Sequence, residues 1–179
     1  MANVNDPNGF TPSYHMSGGT IRPSEFAIAS GATGSIFSGD VVILSSGYVV
    51  QGTATAAPLG VFQGVQYTAT DGTPIWSKVW TGGTATLGSA DAQAYVYVDP
   101  DICYEVQSSG TPTQASVGAV YTITTTAGDT NNGRSKEAVT TTTTSGIAKV
   151  VGFVERPDNS IGQYARLNVI FPTSEFGNN

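Results

Sequence analysis

One histidine, one cysteine and a few closely spaced carboxylates are the residues of this chain whose chemistry could reach beyond packing. His15 has no second imidazole and no cysteine near it in sequence, so it cannot complete a zinc site of the usual donor set. It sits among prolines and glycines rather than on a rigid element, which leaves a general base without support. Cys103 lies between Ile102 and Tyr104 in a strand-like run, where nothing nearby would lower the pKa of its thiol, so a packed thiol is expected. Asp99 and Asp101 flank Pro100, and paired carboxylates can hold calcium or perform acid and base work on a glycoside. The twelve-residue calcium loop with its terminal glutamate is missing, however, and Asp-Pro-Asp is ordinary turn chemistry. Asp129 in Gly128-Asp129-Thr130-Asn131-Asn132-Gly133 reads as a turn on the same grounds. Phosphate-binding and nucleophile-elbow glycine patterns are absent despite 22 glycines. The chain is therefore read as non-enzymatic, with no metal and no cofactor.

Trp76 and Trp80 offer a different chemistry. Four residues apart in a strand pattern they share a face, and that face is either core or an exposed aromatic pair able to stack a sugar or anchor a protein.

Composition bounds what can position these groups. The 179 residues fit one domain, and charged residues make up only 11% against about 25% in typical proteins. Threonine, serine, glycine and alanine take the place of the missing charges, a mixture that suits strands and turns. With a net charge of −6 and only seven lysines and arginines, the chain is not expected to bind nucleic acid. Low charge density lowers the electrostatic cost of packing copies together, which makes self-association plausible. A single cysteine allows no internal disulfide and fits synthesis in a reducing compartment. MANVNDPNGF has neither a basic start nor an apolar run, so no signal peptide is expected, and no stretch is apolar enough for a membrane span.

Residues 1–24 carry Pro7, Pro12 and Pro23 among several glycines, which forbids a helix and interrupts strands. This segment is expected to be an extended N-terminal arm, with residues 25–179 a single all-β domain. Phe10, Tyr14, His15 and Met16 would be its anchors, on a partner or across its own domain. Twenty extended residues span roughly 65 Å. Beyond the arm, Asp40–Leu44 and Tyr48–Gln51 form a hairpin around Ser45-Ser46-Gly47, and Leu59–Tyr67 and Ile75–Trp80 a second around Asp71-Gly72. Alternation predicts a strand over 91–98, with Ala92, Ala94, Val96 and Val98 on one face and Gln93, Tyr95 and Tyr97 on the other. Further strands are expected at 102–106, 120–126, 137–144, 148–155 and 165–171, with one helical turn at 114–117. Short strands with regular turns predict a β-sandwich or β-barrel of antiparallel strands.

The ordered segments carry a resemblance. Asn5, Pro7, Gly9, Phe10, Pro12, His15, Gly18 and Gly19 fit N-x-P-x-G-F-x-P-x-x-H-x-x-G-G. With 60–67 (GVFQGVQY), 74–80 (PIWSKVW), 94–100 (AYVYVDP), Gly133-Arg134-Ser135 and Arg156-Pro157-Asp158-Asn159, in that order, the chain resembles tailed-phage capsid decoration (cement) proteins. The resemblance implies a structural protein of the virion exterior, made in the host cytoplasm, whose partners are the major capsid protein and other copies of itself. Phe10, Tyr14, His15, Met16, Trp76 and Trp80 are then the expected partner-binding residues. The alternative is a carbohydrate- or receptor-binding module of a phage tail or fibre, which needs Trp76 and Trp80 exposed beside polar neighbours. A polysaccharide-cleaving enzyme would instead need two carboxylates across a cleft.

Overall fold

The computed structural model describes residues 3–176; Met1 and Ala2 of the expected arm and residues 177–179 lie outside them. The first strands in chain order are β1 (Thr11–His15), β2 (Ser24–Ile28), β3 (Ile36–Phe37), β4 (Val41–Ser45), β5 (Tyr48–Gln51), β6 (Gly60–Thr68) and β7 (Pro74–Ser77). They are followed by β8 (Val79–Trp80), β9 (Ala92–Tyr97), β10 (Ile102–Gln107), β11 (Val120–Tyr121), β12 (Ala148–Phe153) and β13 (Arg166–Ile170). One sheet has the order β1-β10-β13-β12-β11; the other has the order β2-β9-β6-β4-β5 with β7 also paired to β6, and β3 and β8 form a separate ribbon. All named strand pairs are antiparallel, and the fold is all-β and sandwich-like. No helix among the described residues is long and apolar enough to cross a membrane.

Two apolar clusters hold the sheets. One gathers Phe10, Tyr104, Val106, Val150, Leu167 and Val169 of the first sheet with Val41 and Val61 of the second. The other fills the inner face of the second sheet, where Phe62, Val65, Ala94 and Val96 meet Ile36 and Trp80 of the β3–β8 ribbon. That sheet curls until its outer strands β2 and β5 approach one another. The alternation expected over 91–98 appears in β9, where Ala92, Ala94 and Val96 are buried and Gln93 is exposed. Both expected hairpins form, β4 with β5 and β6 with β7. Asp71 Oδ1 accepts the Thr73 N–H at 2.9 Å in the second turn, the local bond that favours Asp there.

Three expectations need correction. The described part of the expected arm, residues 3–24, is built into the domain. Thr11–His15 is an outer strand of the first sheet, and Phe10, 1% exposed, is core. Ahead of it the chain is stitched down: Asn3 Nδ2 donates to Ser160 O at 2.7 Å, and the buried Gln107 donates to Val4 O at 2.7 Å and accepts the Asp6 N–H at 3.0 Å. Prolines break a ladder without preventing side chains from supplying the missing bonds, which is how this segment is held. Second, 120–126 and 137–144 pair only at β11 and at isolated bridges such as Ile123 with Val139. The backbone bonds between them are scattered, from the Thr122, Thr124 and Thr140 amides, and threonine hydroxyls add to them. Thr124 Oγ1 accepts the Ala138 N–H at 2.9 Å, and Thr122 and Thr140 join through their hydroxyls at 2.7 Å.

Third, Trp76 and Trp80 do not share a face. The chain breaks at Lys78, where the Ser77 hydroxyl accepts the Val79 N–H at 3.1 Å. β7 therefore pairs with β6 whereas β8 pairs with β3. The interruption cancels the two-residue period: Trp80 is fully buried and donates Nε1–H to Ala32 O at 3.2 Å, while Trp76 is 55% exposed.

Candidate functional site

Gly9 explains how Phe10 reaches the core. Its φ of +67° is open to glycine, and a Cβ would collide with Ser135 Cβ and Gly39 O. The chain can then turn so that the Phe10 N–H donates to Gly39 O at 2.9 Å and the ring packs against Tyr104 and Phe171. Tyr14 and Met16, at 42% and 52% exposure, remain outside. Tyr14 stands on β1 and Met16 directly after it, and the outer side of β1 has no paired strand among the described residues.

His15 is enclosed, its side chain 8% exposed, and Nε2 lies 3.0 Å from Asp99 Oδ2. On the other side of the ring Nδ1 accepts the Gly19 N–H at 3.1 Å, with Ser17 Oγ also at 3.1 Å. An amide can only donate, so Nδ1 carries the lone pair and the proton sits on Nε2, donated to Asp99. That bond, with the Asp101 N–H next, holds the Asp99 carboxyl below its ordinary pKa.

His15, Asp99 and Asp101 could bring three ligand atoms within 4.8 Å of one another. The tautomer argues against it. A cation would have to displace the Nε2 proton, whereas a histidine poised as a ligand ordinarily donates from its other nitrogen. The same geometry bears on Ser17-His15-Asp99 as a catalytic relay. The Nδ1 lone pair that would take the serine proton is engaged by Gly19. What the three residues do is tie the end of β1 to the turn between β9 and β10.

Sequence reasoning missed two carboxylates raised by their surroundings, Asp40 and Glu137, both fully buried. Asp40 Oδ2 accepts the Phe37 N–H and Glu137 Oε2 the Val41 N–H, each at 2.8 Å. Their other oxygens, Asp40 Oδ1 and Glu137 Oε1, find no donor among the described residues. Burial raises Asp40 to about 6, against the opposing pull of the nearby Ser135 side chain and of the Phe37 N–H. Burial, and then the charge of Asp40, drive Glu137 well above the usual carboxylate range. Nothing in the spacing of 40 and 137 along the chain signals that they meet.

Between the N-terminal segment, the β6 bulge and the 132–134 turn lies a cleft of about 430 Å³. Asn8, Gln63, Lys78 and Arg134 are among its lining, over a floor that includes Phe10 and Phe62. Segments far apart in sequence thus converge here. Lys78 and Arg134 make no ion pair within the described residues, so two of the seven basic side chains face solvent together. Thr11 and Pro12 of β1 also line this cleft, which makes it continuous with the strand edge bearing Tyr14. Of the expected anchors, Tyr14, Met16 and Trp76 are open to a partner, His15 serves an internal clamp, and Phe10 and Trp80 are core. No family model, curated protein or solved structure matches the chain.

Proposed function

We propose that this chain is a non-enzymatic structural protein of a phage virion that binds the outer surface of the capsid and stabilises contacts between capsomers. The observation that carries the reading is the free edge of β1, which displays Tyr14 and Met16 beside a cleft holding two unpaired cations. An outer strand can pair with an extended segment of another protein, and neighbouring side chains then supply selectivity. Aromatic and methionine side chains are enriched in protein interfaces, and Lys78 and Arg134 offer charge-assisted bonds to a carboxylate-bearing segment of the shell. The sparsely charged body lets many copies stand close together, and many weak attachments add up.

The test uses particles assembled from the genome that encodes the chain. Mass spectrometry and cryo-EM should find the protein on the exterior of the shell, and purified protein should co-sediment with particles that lack it. The double variant Tyr14→Ser, Met16→Ser should stay folded and lose at least about tenfold in affinity, as expected for removing exposed anchors. Absence of the protein from particles, or unchanged binding by the double variant, would overturn the reading.

A further inference from the structure

The exposed indole of Trp76 does not stand alone. Trp76 on β7 is opposite Gln66 on β6, Gln66 is opposite Gln93 on β9, and Gln93 is opposite Ala27 on β2. One step along the sheet, Gly64 of β6 is opposite Tyr95 and Tyr95 is opposite Glu25. These side chains share the outer face of the curled sheet, away from the buried Phe62, Ala94 and Val96. They also hold one another: the Tyr95 hydroxyl donates to Gln66 Oε1 at 3.0 Å and Gln93 Nε2 donates to Glu25 Oε2 at 2.6 Å.

Gly64 shapes the floor. A Cβ there would lie 3.0 Å from Trp76 Cζ2 and 2.9 Å from Ser77 O, so the bare backbone is what lets the indole lie across β6. Tyr95 stands opposite Gly64 on the neighbouring strand β9. The indole itself covers Gly64, and it is 55% exposed, so its outer side is open to a ligand. Shallow depressions of about 230 and 500 Å³ adjoin the row, and they share Gln93 and Asp91.

We infer that this face binds a neutral oligosaccharide laid across strands β7, β6, β9 and β2, with Trp76 as its stacking platform. An aromatic face packs well against the apolar face of a sugar ring, and amide and hydroxyl groups fixed beside it can exchange hydrogen bonds with sugar hydroxyls. Because the row is already cross-linked by its own hydrogen bonds, little rotamer freedom remains to be lost on binding. Shallow depressions suit a chain lying on the surface better than an enclosed small molecule. No lysine or arginine lines either depression, while Glu25 and Asp91 do, which selects against acidic sugars. A protein partner would want a desolvated apolar centre, and here a single ring is set among amides, a hydroxyl and carboxylates.

This inference is independent of capsid binding, since Tyr14 and Met16 lie on the other sheet. With Trp80 buried, Trp76 is the indole that a surface ligand reaches, so its fluorescence reports occupancy. Cellohexaose, chitohexaose and mannohexaose titrated into the full-length protein should, for at least one of them, give a saturable change in emission. The same calorimetric affinity should follow, lost at least about tenfold in Trp76→Ala and weakened in Gln93→Ala. Polygalacturonate should produce no change, and both variants should keep the wild-type melting temperature and wild-type attachment to capsids. Absence of binding by all three neutral hexaoses, equal binding by Trp76→Ala, or preferential binding of polygalacturonate would overturn the inference. So would loss of capsid attachment in Trp76→Ala, which would make the face a protein interface.

Discussion

Two carboxylates without countercharges, buried side by side, make a specific demand on pH. Asp40 is raised from its ordinary 3.8 to about 6, so between those values the folded chain holds a proton that the unfolded chain has released. Stability from this group is therefore greatest at low pH, falls as pH rises through the window from about 4 to 6, and is level above it. The difference amounts to about 3 kcal/mol, and Glu137 acts in the same direction. Asp40→Asn keeps an oxygen for the Phe37 N–H and removes the charge. Urea denaturation at pH 4.5 and 7.5 should show the wild type losing stability toward pH 7.5 relative to the variant, and parallel pH profiles would refute the account. At this scale the sequence was legible where chemistry is local, as at the Asp71-Gly72 turn. Asp40 and Glu137 were not, because contact between residues 97 positions apart is a property of the fold.

Strands and turns were read well wherever hydrophobic alternation and turn residues agreed, and poorly where side chains replaced the backbone ladder. β9 shows the first case, with every second residue buried. The threonine-rich stretches show the second, since their β-branched residues suit strands but their hydroxyls capture the Ala138 and Thr142 amides and interrupt the ladder. The N-terminal segment is the largest such departure, because its prolines concealed an outer strand anchored by Phe10. Its role in the core can be measured. Phe10→Ala should cost about 3–5 kcal/mol, a large part of the stability of an ordinary domain, and deleting residues 1–15 should abolish cooperative unfolding. Thermal melts followed by circular dichroism decide it: a deletion variant that melts near the wild-type temperature would restore the separable arm. Near the last strand, Asn159 joins β13 to the residue after β12, donating to Val154 O at 2.7 Å and accepting the Arg166 N–H at 2.8 Å. Asn159→Ala removes the acceptor of the Arg166 N–H and the donor to Val154 O and should lower stability by about 1–3 kcal/mol in the same melts, whereas an unchanged melt would mean water replaces the bridge.

For the whole molecule, charge and shape separate two forms of the proposed attachment to a shell. The first relies on the β1 edge with Tyr14 and Met16, where burial of apolar surface and strand pairing dominate. The second relies on Lys78 and Arg134 in the neighbouring cleft. Composition pointed toward an adhesive body through its low charge, but it did not show that two of the few cations face one cleft, since β7 and the 132–134 turn meet only in the fold. Salt distinguishes the two, because exposed charge pairs are screened over about 10 Å at 0.1 M and about 3 Å at 1 M, whereas apolar burial is not weakened. With a net charge of −6 the chain also gains little long-range attraction to an acidic surface. If the edge carries attachment, affinity for capsids should change by less than about threefold between 0.1 and 1 M sodium chloride, and Lys78→Gln with Arg134→Gln should cost less than Tyr14→Ser with Met16→Ser. A loss of more than about tenfold over that salt range, matched by the loss in the Lys78 and Arg134 variant, would transfer the attachment site from the strand edge to the cleft.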